Sequence, residues 1–281
     1  MGTAPGAGVI GLGLIGSRVA ARVAAAGFPL AVWNRTPRDF PDLPPAAPDP
    51  AAVAEAADIL QLFVSDDAAL ATTMSALLSV LASRHVVLCH ATVSPEAVRG
   101  AAALAAAQGA AFLDAPFTGS RDAAANGQIT YYIGGEASAL ERARAVLEAS
   151  AKAIVPVGGI GAASAIKIAT NIMAAAAAVS LAEAVNLLRA NGVDPEVLPA
   201  VLENNAARSG VIDLKLPCML QRDFAPRFSA KHMLKDMRLA KKLADPGADT
   251  LTAVIEQLYD DACHQGLGEE DFSAVVKVRK V

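Results

Sequence analysis

The sequence predicts an α/β doubly wound sheet followed by an all-α domain. Three observations carry this expectation. Short apolar strands alternate with helical stretches through the first half of the chain, as they do when helices cover both faces of a sheet. A Gly-rich turn joins the first strand to the first helix. Beyond about Val157 the strand pattern stops and only helical segments follow. The expected domains are residues 1–160 and 161–281.

The elements follow in order. "GAGVIGLGLIGSRVAARVAAAGF" reads as a short apolar strand, a Gly-rich turn and a helix ending at Gly27. "LAVWNR" is a second strand. The prolines of "DFPDLPPAAPDP", Asp39 to Pro50, forbid regular structure. Ala51 to Ala57 is a short helix, "DILQLFVS" a buried strand, Ala68 to Ala82 a helix and "HVVLCHA" another strand. Ser94-Pro95-Glu96 starts a helix, with an N-cap serine and proline at the first helical position. "AAFLDAPF" and "ITYYIGG" are strands around a glycine-containing loop. A long Ala-rich helix is expected from near Gly161 to Ala190, because alanine is the best helix former. The remainder reads as helices broken at Pro195, Pro217, Pro226 and Asp245-Pro246-Gly247.

Composition narrows the function classes. Hydrophobic types make up 54% of the 281 residues and charged types 19%, so the chain can build a core and is not a disordered protein. Mean hydropathy is +0.39, yet the longest apolar run, near Ile172 to Ala182, is short for a bilayer span and is flanked by Asn171, Glu183 and Asn186. No membrane association is expected. The N-terminus lacks the basic region of a signal peptide. Cys89, Cys218 and Cys263 are isolated and odd in number, which suits neither a metal site nor a disulfide framework; a cytoplasmic protein without metal is expected. A net charge of −4 argues against nucleic-acid binding. The stretch from Arg208 to Lys242 is locally basic, which suits a small anionic ligand.

Gly11, Gly13 and Gly16 form G-x-G-x-x-G between a strand and a helix, the Rossmann-type setting for a dinucleotide. The first glycine permits the tight turn, the second admits a pyrophosphate, and the third lets helix and strand pack closely. The helix N-terminus adds free N–H groups and partial positive charge. An NAD site commonly carries a carboxylate after the second strand. Here "WNRTPR" places Asn34, Arg35 and Thr36, so Arg35 can pair with a 2′-phosphate and the expected cofactor is NADPH.

Lys167 and Asn171 lie four apart on the Ala-rich helix and share a face. A lone lysine in such a helix reads as snorkelling. The preceding "GGIGAAS" and the helix's place at the domain junction favour an acid/base group instead, because ligands bind at such junctions. "DAPFTGSRDAAANGQ" offers Thr118, Gly119 and Ser120 as a turn for a carboxylate, or as an ordinary hairpin loop. Lys231, Lys235, Arg238 and Lys242 recur at helical spacing, as on a solvated basic face.

Together "GVIGLGLIGSRVAARVAAAG", "WNRT", "ATVSPE", "DAPFTGS", the glycine-led "IKIATN" and "KHMLKDMRLA" resemble, in order, the β-hydroxyacid dehydrogenases, over Gly8 to about Val276. That family includes 3-hydroxyisobutyrate dehydrogenase, tartronate semialdehyde reductase and the glyoxylate/succinic semialdehyde reductases. The resemblance implies that Gly11, Leu12, Gly13, Leu14, Ile15 and Gly16 hold the pyrophosphate and that Asn34, Arg35 and Thr36 hold the adenosine ribose with its 2′-phosphate. It implies Val64, Ser65 and Thr92 near the nicotinamide, and Thr118, Gly119 and Ser120 at the substrate carboxylate. Lys167 is implied as the catalytic acid/base, Asn171 as its substrate-binding neighbour, Lys235 as a cofactor contact and Asp236 as a group beside the substrate. The family often has Ser-Gly-Gly where this chain has Thr118-Gly119-Ser120; the Gly-to-Ser change and "GLGEEDFSAV" look like the glyoxylate/succinic semialdehyde subgroup.

The implied activity is NADPH-dependent reduction of a small carboxylated aldehyde to a hydroxy acid by a homodimer or homotetramer. Two other readings are an imine reductase on the same scaffold and a non-catalytic NADPH-binding module. Imine-reductase relatives usually replace the lysine that this chain keeps, and some non-catalytic relatives of the fold have lost it.

Overall fold

The computed structural model describes residues 5–244 and 250–278. The chain forms two compact units that divide between Lys167 and Ile168. In chain order the first unit holds β1 (Ala7–Ile10), α1 (Gly16–Ala25), β2 (Leu30–Trp33), α2 (Pro50–Ala56), β3 (Ile59–Leu62), α3 (Asp67–Leu77) and β4 (Val86–Cys89). It continues with α4 (Pro95–Ala107), β5 (Ala111–Asp114), β6 (Phe117–Thr118), α5 (Arg121–Ala125), β7 (Ile129–Gly134), α6 (Ala137–Glu148) and β8 (Ala151–Gly158).

The strands make one sheet in the order β2-β1-β3-β4-β5-β7-β6, with β8 paired to β7. The first five strands are parallel; β7 runs antiparallel to β5 and β6, so the sheet is mixed. β1, β3 and β4 are buried at every residue, as strands covered on both faces must be. Alternate residues feed two cores. Ile10, Leu60, Leu62, Val87 and Cys89 pack with Val53, Leu70, Met74 and Val98 of α2, α3 and α4. Ala7, Ile59, Val86, Leu88 and Leu113 pack with Val19 and Val23 of α1, Ala124 of α5 and Leu140 of α6. The sheet is doubly wound, and the side-chain period of two sorts its residues between the faces.

Local chemistry sets the helix starts. Asp49, Asp66 and Ser94 each accept from the backbone N–H three residues on, and Pro50 and Pro95 occupy the first helical positions. At the other end of α1, Gly27 takes φ +85 and turns the chain into β2.

The helix α7 (Ala162–Ala190) leaves the first unit and continues through the second, followed by α8 (Leu198–Leu202), α9 (Gly210–Gln221), α10 (Ala230–Leu243) and α11 (Leu251–His264). By length and composition alone α7 could cross a bilayer: it is 29 residues long, and an 18-residue window has a hydropathy of 1.6. This corrects the expectation that its apolar run is too short. Ala175, Ala178, Leu181, Ala182 and Val185 are instead buried in the second unit's core with Met219, Met237 and Tyr259.

Two further expectations need correction. Pro217 does not break a helix but lies inside α9. The proline forfeits one hydrogen bond, while the flanking Leu216, Cys218 and Met219 remain buried and hold the segment helical. The basic stretch from Arg208 to Lys242 is largely neutralised. Arg208 pairs with Asp213, Arg227 with Asp223, Lys231 with Glu269, Arg238 with Glu256 and Asp260, and Lys241 with Glu256. The expected break at Asp245-Pro246-Gly247 lies outside the described residues.

A buried ion pair lies in the second unit. Lys215 Nζ lies 2.8 Å from Asp271 Oδ1 and 4.3 Å from the centre of the Phe272 ring. Asp271 also accepts from the N–H groups of Arg227, Phe228 and Ser273 and from the Ser273 hydroxyl. Burial pushes the Asp271 carboxyl up, but the Lys215 ammonium and these donors outweigh it and hold its pKa below the ordinary value. Its ionised form therefore contributes stability above the unfolded aspartate pKa of about 3.9, and that contribution is lost as pH falls through the lower folded value. Lys215→Met leaves a buried carboxylate without its cation. We expect a loss of about 3–5 kcal/mol in urea unfolding at neutral pH, with the penalty shrinking in acid as the carboxyl protonates.

Candidate active site

The turn after β1 is shaped by what cannot fit there. Gly11 takes φ +100, and a Cβ would run into the Phe63 carbonyl oxygen. A Cβ on Gly16 would collide with the Gly11 carbonyl oxygen. Gly13 is different: nothing lies within 4 Å of an added Cβ, and the residue is exposed. The outer glycines let the chain fold tightly, and the middle one leaves open space above the turn. Among the described residues, the N–H groups of Gly13, Leu14, Ile15 and Gly16 have no protein acceptor. Free donors, open space and a helix N-terminus are what a pyrophosphate needs.

The other strand ends converge on the same edge of the sheet. Asn34, after β2, is a brace: its Oδ1 accepts from Leu12 N at 2.9 Å and its Nδ2 donates to Thr36 O at 2.6 Å. Arg35, Thr36 and Arg38 are exposed beyond it. After β3, Val64 is half-buried, and Ser65 is exposed and donates to Asp66. After β4, Thr92 is half-buried. Asp67, the first residue of α3, accepts from Ser94 N at 2.9 Å and Ser94 Oγ at 2.7 Å, which ties the loop after β3 to the loop after β4. Beneath them Phe63 stacks on His90 with ring centroids 4.6 Å apart. Burial pulls the His90 pKa down to about 4, against a smaller opposing effect of its bond to Ala115 O, so the ring is neutral at pH 7.

β6 runs in the direction of β5, and Thr118 ends it. Gly119 takes φ +146, and Ser120 caps α5 by accepting from Ala123 N. Thr118 and Gly119 are exposed; Ser120 is half-buried with one lone pair committed to its own helix.

Lys167 stands in the second turn of α7 and is half-buried. The start of that helix is bound to the sheet by Asp114, the last residue of β5. Asp114 is fully buried and accepts from Gly161 N at 3.0 Å, Ser164 N at 2.9 Å and Ser164 Oγ at 2.7 Å. Sequence reading passed over Asp114 and His90. The available signal was a carboxylate ending an otherwise apolar strand, because a buried charge must find donors.

In the second unit three of the expected residues meet. Asn171 is 6% exposed and Asp236 1%. Asn171 Nδ2 donates to Asp236 Oδ2 at 2.5 Å, and Lys235 Nζ lies 2.9 Å from Asp236 Oδ1. The carboxylate thus fixes the asparagine amide and holds a cation beside it.

The geometry of the turn separates folding from ligand binding. Gly13→Ala should leave the unfolding midpoint unchanged and weaken binding of a nicotinamide dinucleotide by about tenfold or more, a cost of about 1.4 kcal/mol. Gly11→Ala should instead destabilise the fold itself. Thermal melts and fluorescence titration check both.

Residues 7–159 match the model of the NAD-binding domain of 6-phosphogluconate dehydrogenase, and residues 161–279 match that of NADP-dependent 3-hydroxyisobutyrate dehydrogenase. An NAD-dependent L-serine dehydrogenase of Pseudomonas aeruginosa is 30% identical, with 96% of each chain covered. Glyoxylate/succinic semialdehyde reductase 2 of Arabidopsis thaliana is 29% identical over 97% of this chain and 79% of the plant protein. The solved structure of a 3-hydroxyisobutyrate dehydrogenase of Mycobacterium tuberculosis with L-serine superposes with a TM-score of 0.87 at 26% identity, covering 97% of this chain and 98% of that one. With both units matched in order and a nicotinamide-dinucleotide turn at the sheet's edge, the chain belongs to the 3-hydroxyisobutyrate dehydrogenase-like family of NAD(P)-dependent β-hydroxyacid dehydrogenases.

Proposed function

We propose that this protein reduces small carboxylated aldehydes to hydroxy acids with NADPH, using Lys167 as the acid/base. The observation that carries the reading is Lys167 itself, half-buried on α7 one turn before an asparagine held by a buried carboxylate. The Gly11–Gly16 turn binds the pyrophosphate through its unoccupied N–H groups. Asn34 shapes the ribose end, and Arg35 and Thr36 take the 2′-phosphate; the absence of a carboxylate at Asn34, Arg35 or Thr36 supports NADPH over NADH. Val64, Ser65 and Thr92 line the nicotinamide end, and Lys235 is a further cofactor contact.

The chemistry that bound NADPH supplies is hydride transfer from its nicotinamide C4. Thr118, Gly119 and Ser120 hold the substrate carboxylate, so the carbonyl is presented in one orientation. As negative charge grows on the carbonyl oxygen, the Lys167 ammonium stabilises it and donates the proton. Asn171, braced by Asp236, holds the same oxygen. In the oxidative direction neutral Lys167 accepts the hydroxyl proton. We further assign the exposed Met173 and Leu187 of α7 to contact between copies in a cytoplasmic homodimer or homotetramer, which sedimentation would read directly.

The test is the rate of NADPH oxidation with succinic semialdehyde, glyoxylate, tartronate semialdehyde and methylmalonate semialdehyde, with a cyclic imine as the contrasting substrate. Oxidation of L-serine with NADP+ tests the reverse direction. Turnover of one aldehyde is expected, and Lys167→Ala should lower it by about 10²–10⁴-fold with NADPH binding retained. Turnover of the imine alone, or wild-type rates in the variant, would reject the reading. Separately, Arg35→Ala should lower the NADPH/NADH ratio of kcat/KM by about tenfold or more, the worth of a charged hydrogen bond; an unchanged ratio would remove the 2′-phosphate assignment.

A further inference from the structure

We propose that Asp114 is a positioning residue for Lys167: its carboxylate fixes the first turn of α7 and thereby aims the lysine one turn further on. The inference rests on the acid/base reading of Lys167. Both carboxylate oxygens are engaged, Oδ2 by two backbone N–H groups and Oδ1 by the Ser164 hydroxyl. The Gly161 and Ser164 N–H groups donate to Oδ2, and the Ser164 hydroxyl, which can turn to suit, completes the set at Oδ1. Ser164 and Lys167 are three apart and therefore neighbours on one helix face. The clamp acts on the face that carries the lysine, about 4.5 Å along the axis at 1.5 Å per residue.

The surrounding sequence makes room for this contact. Asp114 pairs across the sheet with Gly134, where a Cβ would lie 2.5 Å from the Gly159 carbonyl oxygen. Gly135, Gly158 and Gly161 take φ of +139, +132 and +92, which bring the end of β8 and the start of α7 down onto β5. The double glycines at 134–135 and 158–159 thus serve one approach.

Burying this carboxyl carries a cost. Burial pushes the Asp114 carboxyl up, and the bonds from Ser164 and Gly161 only partly pull it back. A neutral isostere would escape that desolvation, so Asp114→Asn need not lower stability. What it loses is one of the two acceptor oxygens: the amide nitrogen in its place must donate to Ser164 Oγ, and the set that directs α7 is rebuilt. A displacement of the order of 1 Å at a catalytic group can cost about 10²-fold in rate.

The test is a double-mutant cycle of Asp114→Asn and Lys167→Ala, read with NADPH and the fastest aldehyde of the panel above. We expect Asp114→Asn to lower kcat about tenfold or more with the NADPH dissociation constant, aldehyde KM and unfolding midpoint unchanged. In the Lys167→Ala background it should have no further effect. Amide hydrogen exchange over 161–167 should quicken in the single variant. Unchanged kcat, or an equal loss in both backgrounds while Lys167→Ala alone is crippled, would overturn the positioning role and leave the acid/base reading standing. Wild-type turnover in Lys167→Ala would reject that reading and the positioning role with it. Should Asp114→Asn fail to fold, Ser164→Ala, which removes one donor of three, carries the same cycle with a smaller expected loss.

Discussion

A carboxylate without water must be given donors, and a helix start has donors without partners. Asp114 and the first turn of α7 satisfy each other's requirement. Much of the local sequence follows from letting them meet. The strand beside Asp114 ends at Gly134 with Gly135 next, the approach to the helix is glycine-rich, and Ser164 sits where its hydroxyl completes the set. The longest helix of the chain is thereby anchored to the sheet's edge before it enters the second unit, where Ala175, Ala178 and Leu181 take over its packing.

The same edge gathers the ends of the parallel strands. β2 and β3 lie on opposite sides of β1, so the strand order reverses there, the usual place for a ligand on an open α/β sheet. Gly11 and Gly16 close the turn against β3, while Phe63 and the neutral His90 form a packed apolar floor. The donors of the turn therefore stand on a rigid base.

The strands, the Gly-rich turn and the helix caps were legible in the sequence because each rests on a local rule: alternation, φ > 0, or a side-chain oxygen three residues before an N–H. The family was legible because several short motifs stood in order. The antiparallel setting of β7 was not, since strand direction depends on partners far along the chain. The basic stretch misled for a related reason. Of its counter-charges, Glu256, Asp260 and Glu269 lie on or beyond a different helix, and net charge over a window cannot see them. Pro217 misled because a local rule yielded to burial of its neighbours. Asp114 was visible as a residue but silent as a role, because its partners are 47 and 50 residues away.

The link between Asp67 and Ser94 has a mechanical consequence. Two connections that differ in sequence and origin share one carboxylate, so neither can shift without dragging the other. Val64 and Ser65 on one and Thr92 on the other are held in one frame. A push on either loop is felt across both.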